Sequence, residues 1–155
     1  MYQRILVPVE HSSYDDVILD HIRRLARACA GASIVLIHVA DGWAARNIRQ
    51  LDLRESEEMK SDREYIEAVA DSLETEGFSV EAILASGDPA KEIAAAGTRE
   101  GCDLIAMATH GHRGLADVLH GSVASELRHI SMLPVLMVRG NPPHPTPPAG
   151  PRATA

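Results

Sequence analysis

Short apolar runs rich in β-branched residues alternate five times along this chain with stretches whose apolar residues recur at helical spacing. Few architectures accept that alternation. A strand that is apolar throughout must be covered on both faces, and each helical stretch has one apolar stripe to bury. The solution is a parallel sheet with right-handed crossovers and helices on both sides. The expected strands are Ile5 to Val9, Ser33 to Val39, Phe78 to Ala85, Asp103 to Thr109 and Pro134 to Val138. The first helical stretch carries Tyr14, Val17, Ile18, His21, Ile22, Leu25 and Cys29 at helical spacing, with Asp15 and Asp16 at its positive end and Gly31 as a stop. Residues 54–76 read as an acidic helix with Met59, Ile66, Val69, Ala70 and Leu73 inward and Gly77 at its end. Asp88-Pro89 reads as a cap and first turn for a helix to about Arg99. A last helix is expected from about Ser122 to Ser131. The fold class is therefore α/β: a five-stranded, doubly wound three-layer sandwich of the Rossmann-like or flavodoxin-like kind.

The 155 residues fit one domain, expected over 1–139. Residues 140–155 hold most of the chain's nine prolines and read as a disordered tail. Between Arg54 and Glu76 nine carboxylates face three cations, an excess of six within a formal net charge of -7. That run reads as a solvated helix face, and the acidity argues against a nucleic-acid partner. Cys29 and Cys102 lie far apart with no metal-binding spacing, and read as two buried thiols. The chain shows no charged start followed by an apolar run, and no stretch of about 18 apolar residues. The default expectation is a cytoplasmic protein with no membrane partner.

In doubly wound sheets ligands bind beyond the carboxyl ends of the strands, where the strand order reverses. The segment Ala108-Thr-His-Gly-His-Arg-Gly-Leu-Ala-Asp-Val-Leu-His-Gly-Ser122 joins a buried strand to the last helix. Gly111 and Gly114 allow a close backbone approach. Gly121 and Ser122 are expected at the helix N-terminus, where free N–H groups and the dipole favour a phosphate. The alternatives are a phosphate site or a loop followed by an ordinary Ser cap. Arg113 is either a bidentate phosphate ligand or a solvated loop residue. Asp117 either helps hold Mg²⁺ or faces water. His110, His112, His120 and His129 lack the convergence a protein-only metal site needs, so Mg²⁺ is expected only through nucleotide phosphates.

This segment resembles the Gly-x2-Gly-x9-Gly-(Ser/Thr) pattern of the universal stress protein family. Gly111, nine residues, Gly121 and Ser122 match its second half, and Ala108 stands in place of the first Gly. The similarity runs from Arg4-Ile-Leu-Val-Pro-Val9 to Leu133-Pro-Val-Leu-Met-Val138. The resemblance implies a bound adenine nucleotide: ATP, or AMP or ADP. It implies an apolar adenine slot at Pro8, Val9, Val39 and Ala40. The ends of the fourth strand and its loop, from Met107 and Ala108 through His110, Gly111, Arg113 and Gly114, would wrap the ribose and phosphates. Gly121, Ser122 and the amides of Val123 and Ala124 would hold the phosphates. Glu10 stands where the family usually carries Asp; it is either an acceptor for base or ribose, or simply a carboxylate opening a loop. Family members commonly pair the last strand across a homodimer, here residues 134–138.

No GxxxxGK(S/T) loop, no GxGxxG after the first strand and no GxSxG elbow occurs. No base stands beside a nucleophile, so the expectation is a regulatory nucleotide binder for a stress response rather than an enzyme. Weak hydrolysis and a nucleotide-independent interaction module are the alternatives, the second kept open by Ala108 and Glu10.

Overall fold

The computed structural model describes residues 1–41, 57–110 and 117–140. The five strands β1 (Arg4–Pro8), β2 (Ser33–Asp41), β3 (Val80–Gly87), β4 (Leu104–His110) and β5 (Val135–Gly140) form one sheet in the order β3-β2-β1-β4-β5. Every pairing is parallel. The order reverses between β1 and β4, which is the Rossmann arrangement rather than the flavodoxin one.

Among the described residues four helices connect the strands: α1 (Tyr14–Ala28), α2 (Glu57–Thr75), α3 (Pro89–Arg99) and α4 (Asp117–Ile130). The period of two along the strands sorts the core. Ile5, Val7, Ile34, Leu36, Leu104 and Ala106 point to one face and meet Ile18, Leu19 and Ile22 of α1 and Ile66, Ala70 and Leu73 of α2. Leu6, Val35, Ile37, Ile105 and Met107 point to the other and meet Ile93 and Ala96 of α3 and Ala124 and Leu127 of α4. Twelve large aliphatic side chains are under 2 % exposed, and Tyr2, Tyr65 and Phe78 pack against the edge of this aliphatic core.

Local signals behave as expected at several ends. The Asp88 carboxylate accepts from the Lys91 amide at 3.1 Å, capping α3. Gly77 ends α2 with φ of 94°, a conformation most residues avoid. α1 ends through two left-handed residues, Ala30 and Gly31. Cys102 is buried, and burial pushes its thiol pKa up; Cys29 is only half-buried, because it caps the exposed end of α1.

Two expectations need correction. α4 starts at Asp117, five residues before Ser122. No helix breaker precedes Gly121 in this stretch, and an interior glycine costs only about 1 kcal/mol relative to alanine. Gly121 and Ser122 therefore lie inside the helix. The acidic face of α2 is also not wholly solvated: Asp62 is 9 % exposed. Residues 42–56, 111–116 and 141–155, which include Trp43, Gly111, Arg113, Gly114 and the Pro-rich tail, fall outside the described residues.

Candidate functional site

The site is built where the chain leaves β1. Val9 continues the strand for one residue, its amide donating to the Ile37 carbonyl at 2.9 Å. The backbone then turns sharply, with His11 at φ of 60°. A left-handed residue other than glycine costs roughly 1–2 kcal/mol and persists only where its surroundings hold it. Asp15, in the first turn of α1, supplies that hold. It is 2 % exposed. One carboxylate oxygen accepts from the Glu10 amide at 2.9 Å. The other accepts from the Ser12 amide at 3.2 Å and the Tyr65 hydroxyl at 2.6 Å. Ser13, at the cap position of α1, makes no side-chain cap bond; Asp15 closes the turn instead. Burial, then the bond to Asp15, raises the pKa of the Tyr65 hydroxyl far above its ordinary value, so it stays a donor.

A second carboxylate, Asp62 of α2, joins the loop to β2. One oxygen meets His11 Nδ1 at 3.1 Å, and the other meets His38 Nε2 at 3.1 Å. His38 Nδ1 lies 2.9 Å from the Val9 carbonyl. A carbonyl only accepts, so Nδ1 carries a hydrogen. The contact at Nε2 is an ion pair with Asp62 only when the ring is protonated at both nitrogens. The His11 ring stacks on Tyr65, with centroids 4.0 Å apart and planes 16° from parallel.

These side chains wall a cavity of about 440 Å³ lined by Glu10, His11, His38, Val39, Ala40, Ser61 and Asp62. That volume lies within the range of small-molecule sites. It opens at the carboxyl ends of β1 and β2, beside the point where the strand order reverses. Three residues expected from sequence, Glu10, Val39 and Ala40, line it. Pro8 ends β1 and Val9 is buried just beyond; neither lines the cavity. Met107 is 6 % exposed and packs among the residues covered by α3 and α4, so its side chain does not face the cavity. Ala108 packs against the opposite cluster, and His110 ends β4 opposite Gly140.

The helix that carries the expected phosphate residues begins earlier than expected. Only the first four amides of a helix lack an internal acceptor. In α4 those belong to residues 117–120, while the amides of Gly121, Ser122, Val123 and Ala124 fall inside the helical ladder. The Val123 and Ala124 side chains pack into the core.

Sequence reading missed His11, Asp15, His38, Asp62 and Tyr65 as one cluster. One signal for Asp62 was present. It stands four residues before Ile66, eight before Ala70 and eleven before Leu73, on the inward stripe of α2. A carboxylate on an apolar stripe demands a partner. His38 inside a fully apolar strand makes the same demand.

The chain matches the sequence model of the Universal stress protein family over residues 1–139. It is similar to Universal stress protein MJ0577 of Methanocaldococcus jannaschii, with 28% identity over 90% of this chain and 96% of that protein. The solved structure of hypothetical protein MJ0577 is similar with a TM-score of 0.73 at 29% identity, covering 91% of this chain and 98% of that one. The universal stress protein from Archaeoglobus fulgidus in complex with dAMP has a TM-score of 0.64 at 19% identity, covering 88% and 97%. A universal stress protein in complex with cAMP has a TM-score of 0.65 at 19% identity, covering 89% and 97%. Among the described residues no helix is long and apolar enough to cross a membrane, and no group of three or more His, Cys, Asp or Glu side chains is placed to hold a metal ion.

Proposed function

This chain belongs to the universal stress protein family, and on that premise we propose that it binds an adenine nucleotide, ATP in the first instance, and acts as a regulatory protein of the cytoplasm in a stress response. The observation that carries this is the polar-walled cavity at the carboxyl ends of β1 and β2, beside the reversal of strand order. The base and ribose would enter between Glu10 and the backbone of Val39 and Ala40. The polyphosphate would run across β4 toward the start of α4, past Ala108, His110, Gly111, Arg113 and Gly114. Mg²⁺, where present, would be held by the phosphates. Structures with the same fold, carrying dAMP in one protein and cAMP in another, support an adenine ligand as the class to test first.

Gly121, Ser122, Val123 and Ala124 take part only if the first turn of α4 opens. Each opened turn gives up helical bonds and gains bonds to phosphate, so binding and helix register are coupled. A nucleotide that is offered to this protein then selects between two forms of the same segment.

The test is mass spectrometry of small molecules released from freshly purified, denatured protein, followed by titration of the emptied protein with Mg-ATP. Stoichiometric ATP, ADP or AMP, or saturable binding of Mg-ATP, is the expected result. An empty protein that also fails to bind Mg-ATP would favour a second reading, a nucleotide-independent interaction module. The position of Gly121 to Ala124 within α4, beyond its first four residues, is the observation on that side.

The protein would work as a homodimer paired through β5. That strand lies at a sheet edge, and Val135, Leu136 and Val138 are only half-buried while Met137 is 40% exposed. A bare apolar edge strand is an association site. Met137→Lys is expected to convert a dimer to a monomer in light scattering after size exclusion, with little change in far-ultraviolet circular dichroism. A wild-type monomer at tens of micromolar would remove the dimer from this account.

A further inference from the structure

Among the described residues lining the cavity His11 is the one with a left-handed backbone, and its ring is held by two partners. Its left-handed φ of 60° turns the side chain back over α2. Tyr65 supports one ring face at 4.0 Å, and Tyr65 is itself pinned by the bond of 2.6 Å to buried Asp15. Asp62 fixes the ring's rotation through Nδ1 at 3.1 Å. A carboxylate accepts, so Nδ1 is the donor, and in the neutral form of the ring the lone pair is then on Nε2. Among the described residues nothing in the protein bonds that Nε2. The side chain is 39% exposed and lines the cavity. The second oxygen of Asp62 is occupied by His38, whose other nitrogen is committed to the Val9 carbonyl. Asp62 therefore cannot swing away without leaving His38 Nε2 unpaired, and the same chain of contacts holds the orientation of the His11 ring.

Resting on the nucleotide reading above, we propose that His11 is a specificity residue, whose Nε2 accepts a hydrogen bond from a donor on the nucleoside half of the ligand. The cavity stands over β1 and β2, away from the start of α4 where phosphates would lie, so the base and ribose are what reach it. A nucleoside presents two kinds of donor there, the exocyclic amino group of adenine and the ribose hydroxyls. A ring carrying an acceptor in a fixed place selects for either and against a ligand that offers only another acceptor. Asp62 and Tyr65 are positioning residues in this scheme, acting through His11.

The experiment compares the whole protein with His11→Gly, which suits the left-handed backbone, and with His11→Asn, which also tolerates it but is too short to reach. Each is titrated with ATP, ITP, 2′-deoxy-ATP and 3′-deoxy-ATP, with a thermal melt for each variant as a check on folding. Both variants are expected to bind ATP about tenfold more weakly than wild type, the size of one lost hydrogen bond. For the analogue lacking the donor that meets His11, wild type and variants should bind alike. ITP in that role identifies the amino group; a deoxy analogue identifies that hydroxyl. Variants that match wild type on all four ligands, or that lose the same factor on all four, overturn the specificity role while leaving nucleotide binding intact. A wild-type protein that binds none of the four overturns the nucleotide reading, and this inference with it.

Discussion

Asp15→Ala is expected to lower the free energy of unfolding by about 2–4 kcal/mol, because several buried donors lose their acceptor together. The Glu10 amide, the Ser12 amide and the Tyr65 hydroxyl all donate to this one carboxylate. At 2 % exposure water cannot readily replace it. Ser13 makes no cap bond, and the other bonds at the first turn of α1 are the longer ones from the Tyr14 amide to the Ser12 hydroxyl at 3.3 Å and from the Asp15 amide to the Ser12 carbonyl at 3.1 Å. The same change releases Tyr65, and with it the stacking surface under His11. Equilibrium denaturation in urea, followed by circular dichroism, would measure the loss. An unchanged slope with a lower midpoint is the signature of a native-state effect. A loss under about 0.5 kcal/mol, the level of an ordinary surface substitution, would mean the turn is held by something other than Asp15.

Gly121→Val is expected to abolish nucleotide binding and to leave the protein folded. In α4 as it stands, valine is a better helix residue than glycine by a few tenths of a kcal/mol. Stability should therefore hold or rise slightly. Binding should fail for two reasons that act together. A β-branched side chain blocks close approach of phosphate to the backbone, and a better helix former resists opening of the first turn. Isothermal titration with Mg-ATP and a thermal melt on the same sample separate the two effects. Unchanged affinity would place the phosphates elsewhere. A large drop in melting temperature would instead mean that position 121 needs glycine for packing.

The gross architecture was readable because its signal is local. A run such as Ile5-Leu-Val-Pro-Val9 declares a strand covered on both faces, and β1 has both its faces in the core. Asp88-Pro89 declares a helix start, and α3 begins there. The start of α4 was misjudged for the same local reason. Gly121 and Ser122 look like a boundary, yet the four residues before them have no feature that forbids helix. Half of the cavity wall was also readable, through Glu10, Val39 and Ala40.

The polar cluster beside these residues was decided only by the folded chain. His11, Asp15, His38, Asp62 and Tyr65 come from the loop after β1, α1, β2 and α2, and no spacing rule links them. Each alone has an unremarkable interpretation: a loop histidine, a helix-start acid, an acid in a charged helix. Their meaning lies in which atoms face each other across those elements. Hydrophobic periodicity carries the layer each element joins, because burial is a property of one segment against an average interior. Hydrogen-bond partnership is a property of pairs of atoms to within a few tenths of an ångström. Only the packing of α1 and α2 on one face of the sheet brings two carboxylates, two imidazoles and a phenol to one strand end, and so makes an acceptor-lined cavity from residues that the sequence scatters.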